Sequence, residues 1–203
     1  MSVATATRRA LPTVLTVGSA LTIEELLEAT ELPDAVVLDM PDQLAERDCL
    51  VALRSDSRFA LKPLFVNRPV DQPDLSLADG NAASSESLHR QAADIAERCS
   101  TLARDVLADP ESRLLAFLHT RPGRVLAPNQ DWRFEHLYRY PLLDAFDGGM
   151  PNSSDWLTTL LRRRLLEPVA LVDRIRACPD CHGAHFSYID QCTSCASIDI
   201  SET

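Results

Sequence analysis

The stretch DAVVLDM, residues 34–40, decides the fold class of this chain. Its centre is an unbroken run of β-branched and aliphatic residues. Such runs are typical of strands that are buried on both faces in a parallel sheet. Two further apolar runs, TVLTV at 13–17 and PLFVN at 63–67, lie on either side of it. We therefore predict three strands of a small parallel sheet.

Amphipathic helices are predicted between these strands. In TIEELLEAT, residues 22–30, Thr22 is placed to cap a helix and Glu25 to complete a capping box. A second helix is predicted in QLAERDCLVALRSD, residues 43–56. Its apolar face comprises Leu44, Cys49, Leu50 and Leu53. The alternation of strand and helix implies right-handed crossovers, so residues 10–82 are predicted to form an α/β domain.

A long helical pattern follows a stretch rich in Pro, Asp and Ser. Apolar residues recur at steps of three and four, so residues 84–108 are predicted to form a helix that connects two domains. Leu88, Ile95 and Leu102 lie a heptad apart, which is a spacing that suits a homodimer formed through this connector.

The second domain is predicted to span residues 109–203, where the pattern of elements is mixed. Its first helix has Asp109 as N-cap and Pro110 in its first turn, and its last helix ends before Pro168. The apolar segment VALVDRI, residues 169–175, is predicted to be a strand that leads into the first pair of cysteines.

The charge and apolar content of the chain exclude some functions. With 203 residues and a formal net charge of -10, the protein has no general positive field for nucleic acid or an anionic membrane. The N-terminus has no clean apolar run of signal-peptide length, and no segment reaches the ~20 apolar residues that span a bilayer. We therefore expect a cytoplasmic protein, in which paired thiols indicate a metal before they indicate disulfides.

Four of the six cysteines form two CxxC pairs near the C-terminus. Cys178 and Cys181 form the first pair, Cys192 and Cys195 form the second, and ten residues separate the pairs. Each two-residue gap lets both thiolates of a turn point at one ion, and two such turns complete a tetrahedron. The spacing predicts a zinc ribbon at residues 176–200, with a short hairpin between the pairs.

Two alternatives concern the identity of the metal and of its ligands. Four thiolates also suit iron of the rubredoxin type. His182 and His185 could each replace a cysteine, although four thiolates already fill the coordination sphere. A closed site of four thiolates has no open position for water, so the predicted Zn²⁺ is structural and contributes folding energy.

The C-terminal half, from residue 109 to the end, resembles the thaumarchaeal (Tack-type) output domain, a family of metal-binding output modules. The matching features are Arg113-Leu114-Leu115, Arg121 with Pro128, Tyr140-Pro141, the helix end LLRRRLLE, CPDCHGAHFSY and CTSCASIDI. The resemblance implies an α+β domain, winged-helix-like with an appended zinc ribbon. It also implies a regulatory or recognition role, with a protein partner, instead of a known reaction.

The N-terminal part is similar to a response-regulator receiver that has been shortened. PDAVVLDMP resembles the strand that ends in the phosphoacceptor, which would be Asp39. Gly18 and Ser19 stand where receivers carry the acids that hold Mg²⁺, and Asn67 stands where a hydroxyl is expected. Because aspartyl phosphate formation needs Mg²⁺, we expect a degenerate receiver-like domain, with a phosphoacceptor at Asp39 as the alternative.

Several other residues invite a functional interpretation. Arg162, Arg163 and Arg164 suggest contact with nucleic acid, but a basic run at the end of a helix also complements the helix dipole, so this alternative is not favoured. The aromatic residues of WRFEHLYRY, residues 132–140, are interpreted as one face of a buried strand. Cys49 and Cys99 are interpreted as small buried apolar residues.

These patterns lead to one hypothesis for the whole chain. We expect a non-catalytic signalling or regulatory protein without a membrane partner, in which a zinc-ribbon output domain recognises a protein or a ligand. No Ser-His-Asp order, P-loop or dinucleotide-binding motif supports an enzyme. The alternatives are a nucleic-acid-binding regulator that uses the winged-helix-like unit and a receiver that is phosphorylated at Asp39.

Overall fold

A computed structural model describes residues 12–18, 21–68, 77–134, 137–147, 153–176, 178–180 and 183–184. Contacts between residues divide the chain into two compact units. Unit 1 comprises Met1–Asn129 and Tyr140–Ala170, and unit 2 comprises Gln130–Arg139 and Leu171–Thr203. Within the described ranges, no helix is long and apolar enough to cross a membrane.

A four-stranded parallel sheet forms the centre of unit 1, as the sequence predicted for its first three strands. The elements are β1 (Val14–Val17), α1 (Ile23–Glu28), β2 (Ala35–Leu38), α2 (Gln43–Ser55), β3 (Leu64–Val66) and β4 (Gly80–Asn81). The strands follow one another in sequence order across the sheet. Leu38 of β2 pairs with Val17 of β1 and with Val66 of β3, so β2 is a central strand.

The uninterrupted apolar character of β2 is explained by burial on both faces. Val36 and Leu38 belong to a large core that also contains residues of α1 and α2. Ala35 and Val37 belong to a second, smaller core with residues of α3 (Ser85–Ser100). All four residues of β2 are buried, so neither face tolerates a polar side chain.

Side-chain caps start the helices where the sequence predicts them. Thr22 and Glu25 form the predicted capping box of α1, because each side chain accepts a hydrogen bond from the other residue's backbone N–H. Asp109 accepts from the backbone N–H of Ser112 and begins α4 (Pro110–Thr120), whose first residue is the predicted proline. These two predictions are confirmed.

Three helices from the C-terminal half pack into the same core as the sheet. They are α4, α5 (Pro141–Phe146) and α6 (Ser153–Arg162). The core residues that they contribute are Leu114, Phe117, Leu142, Leu143, Ala145, Phe146 and Leu160. A hydrogen bond from the Ser55 hydroxyl to the Ala145 carbonyl, at 2.7 Å, adds a polar link between α2 and α5. The helices of this half therefore share the apolar interior of the sheet.

Helix α3 covers the second face of the sheet. It ends at Ser100, before the predicted end, and a short 3-10 helix follows at Arg104–Leu107. Leu88 and Ile95, two members of the predicted heptad, are buried. Leu88 is packed with Phe65 and Ala35 of the sheet. Self-association through this helix stays a prediction. Leu88 and Ile95, the first two residues of the predicted heptad, are already buried within the chain.

Several local predictions are wrong, each for a physical reason. Leu44 is 63% exposed, because it lies in the first turn of α2 on the side away from the core. Strand β4 was missed, since it has two residues and lies in a polar stretch. Residues 169–175 are exposed and form no strand. WRFEHLYRY is not one strand either: a turn follows β5 (Asn129–Gln130), β6 contains only Tyr138–Arg139, and Trp132 is 74% exposed.

Candidate functional sites

Cys178 is the one predicted metal ligand that falls within the described residues. Its backbone N–H donates to the carbonyl of Gly183 at 2.9 Å. This backbone hydrogen bond does not test the position of the thiolate, so the ligand role of Cys178 stays a prediction.

The other predicted ligands and their alternatives lie outside the described residues. They are Cys181, Cys192, Cys195, His182 and His185. Within the ranges that the structure describes, no group of three or more His, Cys, Asp or Glu side chains could hold a metal ion. The four-cysteine site remains a prediction from spacing.

The carboxyl edge of the sheet, where β1 to β4 end, places the predicted receiver residues close together. Asp39 follows β2 and is exposed, and its carboxylate accepts a hydrogen bond from the Asn67 side-chain amide at 3.1 Å. Gly18 follows β1, and a Cβ atom built on it would lie 2.8 Å from the Asp39 carbonyl oxygen. An acidic side chain at position 18 would therefore require the two strand ends to move apart.

A buried ion pair lies beside this edge, and the sequence did not indicate it. The Glu46 side chain is 2% exposed, and its carboxylate accepts from Nε of Arg68 at 2.6 Å. Glu46 lies in the first turn of α2, where a carboxylate is also favoured by the helix dipole. Glu46 is thus satisfied locally by Arg68.

The amino edge of the sheet, where β3 and β4 begin, contains a buried cluster of charge around Asp79. The Asp79 carboxylate accepts from Nη2 of Arg54 at 3.0 Å and from Nε of Arg121 at 2.6 Å. It also accepts from the backbone N–H of Leu64 at 2.9 Å. The three side chains of Arg54, Asp79 and Arg121 are at most 4% exposed, so solvent screens their attraction little.

Backbone carbonyls satisfy many of the remaining guanidinium donors of the cluster. Arg54 donates to the carbonyls of Leu77, Ala60 and Lys62, and Arg121 donates to that of Leu61. Each guanidinium also lies near the Phe117 ring, with Cζ of Arg121 at 4.1 Å and Cζ of Arg54 at 4.7 Å from the ring centroid. Arg121 was identified in sequence only through the family resemblance.

The ionisation of Asp79 follows from its position among the arginines. Burial alone would raise the pKa of this carboxyl, but the positive charges of Arg121 and Arg54 outweigh burial and lower the pKa to about 2. Burial also lowers the pKa of the Arg54 guanidinium to about 9, against the opposing attraction of Asp79. Both groups are therefore charged at neutral pH.

The arginine run at the end of α6 is engaged in local structure. Nη1 of Arg163 lies 2.6 Å from the Glu111 carboxylate. Arg164 has φ of +57°, its N–H donates to Leu161, and the next N–H, that of Leu165, donates to Leu160. This pattern is a Schellman motif with Arg164 at the left-handed position, where glycine is usual. Two of the three arginines thus help to end the helix and neutralise an acid.

Unit 2 presents apolar and aromatic side chains to solvent within its described residues. The hydroxyl of Tyr138 donates to Asp173 at 2.7 Å, and the guanidinium of Arg139 lies 4.2 Å from the centroid of the Phe134 ring. The exposed large apolar residues of this unit are Trp132, Leu171, Val172 and Ile175. The prediction that the aromatic residues of 132–140 form one buried face is therefore wrong at Trp132, which is exposed.

The fold defines this chain as a parallel α/β protein whose C-terminal half adds helices to the core and carries two CxxC pairs. Residues 103–203 match the family model described as thaumarchaeal output domain 1. The match supports the resemblance of the C-terminal half and indicates a signalling or regulatory role. Neither a curated protein nor a solved structure matches the chain significantly.

Proposed function

We propose that this chain is a non-catalytic regulatory protein whose zinc-ribbon output domain recognises a protein or a ligand. The observation that carries the proposal is the family match over residues 103–203, which spans both CxxC pairs. Residues 176–200 are assigned to the ribbon. The winged-helix-like unit is proposed for the remainder of this domain, which contains the helices α4 to α6.

The donor set fits a structural zinc ion. Four thiolates, from Cys178, Cys181, Cys192 and Cys195, satisfy the tetrahedral preference of Zn²⁺ without a water ligand. A bound ion would supply folding energy to the terminus, and the surface around the ribbon would carry the recognition.

Metal analysis of the full-length protein tests this assignment. We expect about one zinc per chain for the wild type and loss of the zinc in Cys178→Ser and Cys192→Ser. The matched control is Cys99→Ser, since Cys99 lies in α3 and its thiol contacts the Leu61 carbonyl. Zinc retained in both ribbon variants would refute the ligand assignment, and iron in place of zinc would correct the metal.

The N-terminal region is proposed to be a shortened receiver-like domain that does not accept phosphate. Receivers have a strand order of 2-1-3-4-5, and removal of the second strand leaves a sequential order like that of β1 to β4. Asp39 lies at the expected carboxyl edge, but Gly18 has no room for a magnesium-binding acid. Incubation with acetyl phosphate and Mg²⁺, followed by intact-mass analysis, should show no added phosphoryl group.

The protein partner can be sought through the ribbon. Affinity capture from the source cell with the wild type and with Cys192→Ser should return a partner with the wild type only. Captured nucleic acid that resists nuclease treatment in the wild type would instead favour the nucleic-acid alternative. The pairing of Arg163 with Glu111 argues against a basic surface at that helix end.

A further inference from the structure

The amino edge of the sheet holds more positive than negative charge. Three guanidinium groups, those of Arg54, Arg121 and Arg124, interact with the one carboxylate of Asp79. Among the described residues, no second carboxylate lies within 4.0 Å of any of the three. Asp79 and backbone carbonyls accept hydrogen bonds from Arg54 and Arg121, so of these three guanidinium groups the one that donates no hydrogen bond within the described residues is that of Arg124.

Arg124 differs from the other two arginines in how it is held. Its Nη2 lies 3.7 Å from the Asp79 Oδ1 atom, which already accepts a 2.6 Å hydrogen bond from Arg121. Within the described chain, its guanidinium donates no hydrogen bond. The Arg124 side chain is nevertheless only 24% exposed. Its guanidinium nitrogens remain in contact with solvent, so a bound oxyanion can take the place of water there.

The turn that carries Arg124 explains why it stays near the cluster. Helix α4 ends at Thr120, and the segment RPGR, residues 121–124, turns back so that the Arg124 N–H donates to the Arg121 carbonyl at 3.0 Å. Gly123 has φ of +82°, a value that suits glycine, and a Cβ there would meet nothing within 4 Å. The turn thus places a second guanidinium beside Arg121, next to the same Asp79 oxygen.

From this arrangement we infer that Arg124, together with the buried Arg121–Asp79 pair, forms a binding site for an oxyanion, either a phosphate or a carboxylate group of a small molecule. Planar guanidinium groups bind both kinds of group through paired hydrogen bonds. An anion at this position would neutralise the excess charge and supply acceptors for the Arg124 donors. It would also reduce the repulsion between Arg121 and Arg124, which share the single carboxylate.

Thermal unfolding of the full-length, zinc-loaded protein tests the inference. Inorganic phosphate and sodium acetate would each be titrated in Tris chloride buffer, against sodium chloride at equal ionic strength. We expect at least one of the two oxyanions to raise the unfolding temperature saturably, by about 2 °C or more above chloride. A response to phosphate alone identifies a phosphate-bearing ligand, and a response to acetate identifies a carboxylate-bearing one.

The variant Arg124→Gln separates binding from general salt effects. Because it removes an unmatched charge, its unfolding temperature in chloride should equal or exceed that of the wild type, while its oxyanion response should be lost. Arg90→Gln, on the exposed side of α3, is the matched control and should keep the response. An oxyanion effect no larger than that of chloride, or one that persists in Arg124→Gln, would overturn the inference. A lower unfolding temperature of Arg124→Gln in chloride, relative to the control, would also overturn it, since Asp79 would then already satisfy Arg124.

Discussion

The two edges of the parallel sheet carry opposite kinds of polar chemistry. At the amino edge, Asp79 is buried and accepts from two guanidinium groups and a backbone N–H. At the carboxyl edge, Asp39 is exposed, and its carboxylate accepts one hydrogen bond from the described part of the chain, that of the Asn67 side chain. Parallel α/β proteins usually bind ligands at the carboxyl edge. In this chain the stronger electrostatic arrangement is at the other edge.

This contrast shows how similar carboxylates acquire different roles. Asp79 sits where α4 ends against the sheet, so its ion pair with Arg121 links the N-terminal sheet to the family-matched half. Asp39 is exposed and has no ion pair of this kind within the described residues, and residue 18 beside it is a glycine instead of an acid. The comparison therefore predicts large effects of substitution at the amino edge and small ones at the carboxyl edge.

The largest effect is expected for Asp79→Asn. The change removes the charge that two buried guanidinium groups require, and breaking a buried pair in this way typically costs about 3 to 5 kcal/mol. Urea unfolding should show that loss of free energy, or the variant should fail to fold. The matched control, Asp39→Asn at the carboxyl edge, should unfold like the wild type. Equal stability of Asp79→Asn and the wild type would remove the distinction between the edges.

The second-largest effect is expected in acid, where protonation of Asp79 should lower the free energy of unfolding. The folded-state pKa of Asp79, about 2, lies below its ordinary value of 3.8, so its contribution is complete above pH 4 and is lost as the pH falls toward 2. The shift corresponds to about 2 kcal/mol. Urea midpoints between pH 5 and pH 2 measure it. In Arg121→Gln the loss of free energy of unfolding between pH 5 and pH 2 should be smaller than in the wild type. One of the positive charges that lower the pKa of Asp79 is gone in that variant. An unchanged acid profile in that variant would contradict the assignment.

Gly18→Ala tests the close approach of the strand ends at the carboxyl edge. The added methyl group would lie 2.8 Å from the Asp39 carbonyl oxygen, and a contact with backbone cannot be relieved by a side-chain rotation. We expect a loss of about 1 to 2 kcal/mol in the free energy of unfolding, in the lower range for overpacking. Gly18→Asp should likewise fail to create Mg²⁺-dependent phosphorylation. Full stability of Gly18→Ala would show that the strand ends can separate easily.

Burial on both faces is what made the sheet predictable from sequence. The runs that form β2 and β3 are apolar and buried throughout, whereas β1 includes the exposed Thr16 and is apolar only in part. Caps such as Thr22 and Asp109 satisfy local rules that need no tertiary information. Strand β4 has two residues, so it leaves no periodic pattern in the sequence. Its neighbour Asp79 lies in a polar stretch, where an acid normally suggests only a solvated loop.

The buried charge cluster could not be predicted, because its members are distant along the chain. Arg54 lies 25 residues and Arg121 lies 42 residues from Asp79, and the packing of α2 and α4 with the sheet brings them together. The CxxC pairs are the opposite case, since spacing alone indicates their chemistry. Local spacing thus indicates the metal site, whereas the tertiary fold determines the ion pairs.

The smallest effect is expected for Asn67→Ala. The hydrogen bond from its amide to Asp39 is exposed at both ends, so water replaces it readily, and the cost should be below about 0.5 kcal/mol. Urea unfolding of Asn67→Ala, Asp39→Asn and the double variant would measure the coupling between the two residues. A coupling energy near zero means that Asp39 is held by the strand end alone, which agrees with the proposal that this edge does not accept phosphate. A coupling above about 1 kcal/mol would instead indicate a preorganised pair, and phosphorylation of Asp39 would then need to be tested again with Asn67 replaced by Thr.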